Sequence, residues 1–414
     1  MRFGVFYELQ LPRPWAADDE HRLFKEALEQ VTLADRLGFD YAWEVEHHFL
    51  DEYSHSSAPE VFLAAAAART ERIRLGHGIR QVIARYNHPA RTAETVATLD
   101  LVSDGRVDFG FGEGATRLEL GGFGIPAKTK RAMALEAVGQ IVEMMVRTPY
   151  PGFEGESFSM PCRNVLPKPL QKPHPPLWIA CTNRDTIKLA ARLGVGALAF
   201  SFVDPEEARS WVSTYYDLIK SEECVPIGHA VNPNIALVAG FSVHRDRAEA
   251  VRRGVEGFEF FGYALNALVA HDTVPGRTDL WGEFQAAVAD RVERRVEEAL
   301  AAGDAYSSGI GAPADVARHL RGLAEAGVDQ VIFLQQAGRN RHRDICASLE
   351  LFAAEVMPEL HQGEAGRLAR KEAELRPYVE AALRRRPPVV QMERDEIPVV
   401  AASVKKAEVG GGPV

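Results

Sequence analysis

The chain has 414 residues, 46% of them hydrophobic, with 58 acidic against 48 basic side chains and a net charge of −10. That length and apolar content bury a large core, enough for one big barrel or two ordinary domains. The acidic balance argues against a nucleic-acid partner, whose phosphates need a concentrated basic face. Cys162, Cys181, Cys224 and Cys346 are scattered, with no CxxC, and read as reduced thiols of a cytoplasmic protein, with no metal site expected. The opening residues lack a signal-peptide pattern, and no apolar run approaches the roughly 18 residues of a membrane helix.

Short apolar strands alternate with longer helical patterns from the start. Residues 3–7 read as a strand and 20–37 as an amphipathic helix stopped by Gly38. Strand 41–45, helix 59–70, strand 73–79, helix 89–102, strand 107–112 and helix 130–146 follow. The alternation resumes with strand 177–181, helix 185–193, strand 197–200, helix 205–221, strand 235–241, helix 246–260, strand 330–335 and helix 341–360. Eight strands, each followed by a helix, is the count of a closed (β/α)8 TIM barrel, an α/β fold. An open doubly wound sheet shows the same alternation, but eight successive units favour closure.

Insertions interrupt the pattern after strands four and seven. Residues 147–176 are rich in Pro and Gly and predict a short hairpin and a loop over one barrel end. Residues 262–312 contain a helical piece at 280–302 and predict a lid. The expected division is a barrel over 1–362 and a C-terminal extension over 363–414. That extension reads as a basic, mostly exposed helix. From Pro387 it reads as an extended or disordered tail, either solvated or lying on a neighbouring subunit.

In such a barrel the active site lies at the C-terminal ends of the strands. Strand two runs into Glu44-Val45-Glu46-His47-His48-Phe49. An acid and two histidines this close suit a metal site or acid–base chemistry. Adjacent side chains on a strand point to opposite faces, so His47 and His48 do not easily share a metal. General base work by one histidine is the stronger reading, and ordinary hydrogen-bonded residues at a strand end the plain one. After strand four, Gly110, Gly112 and Gly114 imitate a dinucleotide fingerprint. No helix is expected at the last glycine, so that reading is set aside. Small residues there would instead let a planar ring lie against the backbone. After strand five, Cys181-Thr182-Asn183-Arg184-Asp185-Thr186 opens a helix, which makes either a phosphate site or a plain N-cap. Arg131 is a candidate cation for the same phosphate.

Taken together, the start MRFGVF, the block GFDYAWEVEHHF and the run His-Pro-Ala-Arg-x-Ala-Glu at 88–94 resemble the bacterial luciferase-like monooxygenases. So do Leu-Asp-x-x-Ser-x-Gly-Arg-Val-x-Phe-Gly at 99–110 and Leu-Phe-x-x-Glu-Val-Met-Pro-Glu-Leu at 351–360. The resemblance covers residues 1–362 in order. It implies a barrel that binds reduced flavin mononucleotide (FMN) at its open end, oxygen reacting at the flavin C4a position, and oxygenation of a small organic substrate. It implies His47 as catalytic base or peroxide-stabilising group, supported by Glu46 and His48. Cys181, Thr182, Asn183 and Thr186 would form the phosphate segment, with Arg131 as cationic partner. Gly78–Ile79 is the candidate for a non-prolyl cis peptide beneath the ring, a bond that costs about 3–4 kcal/mol.

Gly112 and Glu113 stand where luciferase has a cysteine and an arginine, leaving Arg117 or Arg184 to replace the lost phosphate contact. The loop at 80–87 also looks two residues longer. These departures predict a non-luminescent relative. No nicotinamide-binding module is evident in the chain, which implies a separate flavin reductase as partner. A homodimer through helices near the start of the barrel is expected from the family. Two alternatives are a deazaflavin (F420)-dependent oxidoreductase and a non-catalytic flavin-binding subunit. Retention of Glu46, His47 and His48 speaks against the second.

Overall fold

Strands apolar on both faces need cover on both, and a ring of parallel strands inside a ring of helices supplies it. The computed structural model, described for residues 1–200, 203–301, 305–306 and 309–401, has this form. Its barrel strands are β1 (Arg2–Tyr7), β2 (Tyr41–Glu44), β3 (Arg74–His77), β4 (Val107–Gly112), β5 (Leu177–Cys181), β6 (Gly196–Ala199), β7 (Ile235–Ala239) and β8 (Gln330–Gln335). Each pairs in parallel with the next, and β1 pairs with β8, so the sheet has no edge. The eight expected strands are all present. The third is broken: β3 ends at His77, and Arg80–Gln81 resumes pairing with Phe111 and Gly112.

Alternation sorts the strand side chains into two layers. Phe3, Val5, Leu75, Phe109, Ile179, Leu237 and Phe333 pack outward with the helices. Phe6, Trp43, Trp178, Leu198, Val238, Ile332 and Leu334 form a second cluster inside the ring. Trp43 and Trp178 meet edge to face at 5.3 Å. The space for them comes from glycine. A Cβ on Gly76 would stand 2.1 Å from the Trp43 ring, and one on Gly196 would stand 2.3 Å from that of Trp178. The Trp178 indole N–H donates to Asp108 at 2.8 Å, so this buried donor is satisfied.

The insertions sharpen the expectation. Tyr150–Glu154 and Ser159–Arg163 form the hairpin. The helix after β7 runs Arg247–Ala270, ten residues beyond its expected end at Phe260. Gly262 weakens the helical pattern there, but Phe260, Phe261, Ala264 and Ala267 gain burial against Trp281 and Phe284 of the helix Leu280–Ala301. That second helix matches the expected piece at 280–302, whose last residue lies outside the described ones. Pro313–Glu325, buried through Val316, Ala317, Leu320 and Leu323, completes the helical ring before β8 and was not anticipated.

The C-terminal helix Glu364–Arg385 is basic and mostly exposed, as expected, with only Leu375 and Ala382 buried, but it is anchored to the barrel. Asp329, fully buried at the start of β8, takes Arg367 at 2.9 Å and Lys371 at 2.6 Å, because a buried carboxylate needs a counter-charge. The helix thereby lies across the N-terminal end of the barrel. Beyond it, the Val390 carbonyl and the Gln391 side chain accept from Arg147 and Thr148 of the same chain. Of the tail expected from Pro387, residues 402–414 lie outside the described residues.

Candidate active site at the C-terminal mouth

Register places the mouth. Tyr7 is level with Glu44 on one side and Gln335 on the other, and Glu44 with His77. The residues just past these points ring the opening. Leu9, Phe49, Asp51 and Gln336, in the loops leaving β1, β2 and β8, hold positive φ angles of 54°, 66°, 41° and 50°. Such backbone costs about 1–3 kcal/mol per residue and gathers where loops are shaped for function.

His47 and His48 diverge as adjacent side chains should. His47 Nδ1 lies 2.9 Å from Glu119 Oε1, and its Nε2 lies 3.6 Å from Glu8 Oε2. His48 Nε2 lies 3.1 Å from Glu46 Oε1, and its ring rests among Tyr86, Phe49 and Phe123. Glu46 is otherwise committed to Asn87 Nδ2 at 2.7 Å and to the Gln81 backbone N–H at 3.0 Å. It therefore positions His48 and the 80–87 loop.

Glu119 is fully buried and is saturated with donors: His47, the His48 backbone N–H, Gln81 Nε2 at 2.7 Å and the Thr116 hydroxyl at 2.8 Å. Burial disfavours charge on both His47 and Glu119, but their mutual attraction and hydrogen bond prevail. His47 is raised to about 9, and Glu119 is held below the usual carboxylate range. A value of about 9 favours the imidazolium at neutral pH, a form that can donate a proton. The linkage signs follow. The raised His47 contributes stability fully below its ordinary 6.5 and loses it as pH rises through about 9. The lowered Glu119 contributes above its ordinary 4.5 and loses it as pH falls through its folded value.

Glu8 and Glu119 were not singled out in the sequence. Glu8 is the first residue past β1, a position where barrel active sites draw side chains. Glu119 sits in the glycine-rich run in which no helix was expected. Yet Thr116-x-x-Glu119 is a helix-start pattern, and the short helix Arg117–Gly122 begins there, the Thr116 hydroxyl accepting from the Glu119 N–H.

Other expected site residues fall on the same arc of the mouth, with different partners. The Gly78–Ile79 bond is trans; among the described residues the four cis bonds all precede proline. The Gly78 N–H donates to the Glu44 carbonyl at 2.7 Å, and the Ile79 carbonyl accepts from the Glu46 N–H at 2.9 Å, which ordinary backbone achieves. The bare face of Gly112 is covered by Ile79, whose Cδ1 would lie 2.4 Å from an added Cβ. Glu113 holds Arg131 through two bonds of 2.8 and 3.0 Å, with Lys130 at 3.2 Å, so Arg131 is already paired. Asn183 caps the helix Arg184–Arg192 by accepting from the Asp185 and Thr186 N–H groups, while Thr186 Oγ1 accepts from Thr182 and Asn183. In this conformation the plain N-cap is what the segment makes. Burial pushes the Cys181 thiol up to about 12, against the opposing charge of Arg131.

The insertion is fastened to this site. Both Glu52 oxygens, in the loop after β2, accept from the helix Leu280–Ala301: the Leu280 N–H, and the Trp281 N–H at 3.1 Å. Tyr53, beside it, stacks on Phe261 and meets the His47 ring edge-on at 5.6 Å. Glu52→Ala is expected to cost about 1–2 kcal/mol of local stability, the loss of a helix cap. Amide hydrogen exchange should accelerate at the start of this helix and not in the barrel strands; uniform protection would refute the fastening.

Comparison with known proteins assigns this geometry to a lineage. The profile of the family described as luciferase-like monooxygenase matches residues 1–330. The chain is 29% identical over 200 residues to the oxygenase component of the flavin-dependent trigonelline monooxygenase of Acinetobacter baylyi, covering 47% of this chain and about half, 52%, of that protein. It is 40% identical over 134 residues to limonene 1,2-monooxygenase of Rhodococcus erythropolis, 32% of this chain and 33% of that one. The crystal structure of monooxygenase RslO1 from Streptomyces bottropensis superposes with a TM-score of 0.68 at 27% identity, over 87% of this chain and 100% of that chain. The barrel also matches an F420-dependent secondary alcohol dehydrogenase, with a TM-score of 0.64 at 20% identity over 86% of this chain and 98% of that one, a likeness of fold alone. The chain belongs to the luciferase-like monooxygenases, a family of oxidoreductases.

Proposed function

We propose that the protein is the oxygenase of a two-component flavin system, taking reduced FMN from a separate reductase and using dioxygen to oxygenate a small organic substrate. The observation that carries this reading is His47 at the mouth, bonded at 2.9 Å to buried Glu119, whose charge favours the imidazolium. Such a group can give a proton to an anion forming beside it without reorganising. The trigonelline relative, named a flavin-dependent oxygenase component, supports the same reading.

The residues present fit a flavin. Buried polar atoms of Gln10, Gln81 and Gln336, in the segments that follow β1, β3 and β8, have no protein partner, and a heteroaromatic ring with donors and acceptors on its rim would satisfy them. Bound reduced FMN would supply the electrons that activate oxygen. The chain's part is to hold and protonate. Gly78, Ile79 and Gly112 would flank the ring, and Thr182, Asn183 and Thr186 would take the phosphate. Arg131 and Glu113 would then repartner beside Cys181. His48, steadied by Glu46, would complete the wall next to His47. A homodimer through the helices Pro59–Ala67 and Pro89–Val102 would cover their exposed apolar side chains Val61 and Val102.

Photoreduced FMN mixed with the protein under oxygen is expected to bind tightly and to be reoxidised with oxygen uptake that depends on the protein. If reduced F420 binds instead and oxygen uptake stays at the free-flavin rate, the oxygenase reading fails. His47→Ala should leave flavin affinity nearly intact while coupled product formation falls about 100-fold, the lower range for general acid–base groups.

A further inference from the structure

Glu8 is only 1% exposed, and its two oxygens are unequally served. One accepts the Tyr53 hydroxyl at 3.1 Å; the other has no hydrogen-bond partner and lies 3.6 Å from His47 Nε2. A buried carboxyl with an idle oxygen is costly unless it serves a purpose. The neighbouring Tyr7 is fixed between β2 and β8, so Glu8 cannot readily swing out to water. Glu119 already holds the other ring nitrogen, which leaves Nε2–H as the uncommitted donor of His47, pointing toward the idle oxygen. The titratable groups in the field of Glu8 are His47 and Glu44 from the β2 segment, Tyr53 from the loop behind it, and Glu119 from the helix Arg117–Gly122. His47 is the cation among these four.

We propose that Glu8 is the proton-exchange partner of His47, its carboxyl returning a proton to Nε2 after His47 has given one up. In that step the Glu8 O–H bond breaks and the Nε2–H bond forms, leaving carboxylate and imidazolium; no electrons are transferred. Burial pushes the Glu8 carboxyl up to about 7, against the pull of His47, so acid and carboxylate are both populated near neutrality. The need for the returned proton rests on the oxygenase reading of this site, but the exchange pair is a property of the resting protein.

The test therefore begins without flavin. In the full chain labelled with ¹⁵N-histidine, the His47 ring signals should move in two steps, near pH 7 and near pH 9. Glu8→Gln keeps the shape and the Tyr53 contact; it should abolish the lower step and shift the upper midpoint to lower pH, while Glu8→Asp should restore two steps. A single wild-type step that Glu8→Gln leaves unmoved would overturn the proposal. If Glu8→Gln does not fold, ¹³C-carboxyl labelling of the wild type decides: a glutamate titrating in concert with the first His47 step supports the pair, and its absence sinks it. With reduced FMN and oxygen, the wild-type rate should fall as pH rises through about 7, because the protonated carboxyl is the donor, and Glu8→Gln should be slower and flat there. Failure of the wild type to consume oxygen would defeat the oxygenase reading and leave the two-step titration standing.

Discussion

Glu119→Gln is expected to bring the loss of the His47 proton down from about 9 toward the ordinary 6.5. Coupled product formation at neutral pH should fall with it by about 100-fold, the scale of a lost general acid. The substitution removes the largest favourable influences on the imidazolium, the charge and hydrogen bond of Glu119, and leaves burial, which opposes the charge, against only the weaker pull of Glu8 and Glu46, so the midpoint should fall to the ordinary value or below it. Glutamine suits the site sterically. Its carbonyl can accept from His47, the His48 N–H and Gln81, and its amide can donate to the Thr116 hydroxyl, which rotates to accept. The stability cost should therefore be confined by pH. It should be greatest between about 4.5 and 6.5, where wild-type Glu119 is ionised and His47 fully charged, and should fade as pH rises through about 9. Histidine NMR titration and urea unfolding at several pH values measure both effects. A midpoint unchanged from wild type would mean that Glu119 does not hold the charge.

The expected fold was legible because each barrel strand is a short apolar run closed by a polar or glycine signal, and eight such runs recur at intervals that admit helices. Glu46, His47 and His48 were legible for a related reason: they lie together in sequence where a strand ends. What surrounds His47 was not, because Glu119 lies 72 residues away and Glu8 belongs to another strand. Pattern within a segment carries no information about which distant strand end closes over it. The C-terminal helix was legible as a basic, mostly exposed helix, but its anchorage was not, for the same reason. Its charges look solvated until β8 presents a buried Asp329. The helix Arg247–Ala270 outran its own propensity because a partner helix, itself an insertion, rewarded the extra turns.

The glycine run after strand four was visible in the sequence, but its cause lay in barrel closure, and Gly110→Ala is expected to show it. On β4, Phe109 and Phe111 point outward into the helical layer while Gly110 and Gly112 face inward. A Cβ on Gly110 would stand 2.0 Å from the His77 carbonyl oxygen and 3.2 Å from its carbon, at the point where β3 ends and the chain turns into Gly78–Ile79. The obstacle is backbone, held by the Gly78 and Glu46 hydrogen bonds to neighbouring strands, and so it cannot rotate away as a side chain would. Relief must come from parting β3 and β4, which disturbs the pairing of Leu75 with Val107 and Gly76 with Asp108 that helps close the ring on that side. The cost should reach about 3 kcal/mol, the upper range for overpacking. It should appear as a lower urea midpoint together with a displaced His47 signal, since Glu44 and Glu46 are tied to the same turn. Gly121→Ala is the control: nothing lies within 4 Å of its added Cβ, and in a helix the change should be neutral or slightly stabilising. Equal midpoints for the two variants would show that β3 and β4 have room between them, and that the glycines of this run are there for something other than closure.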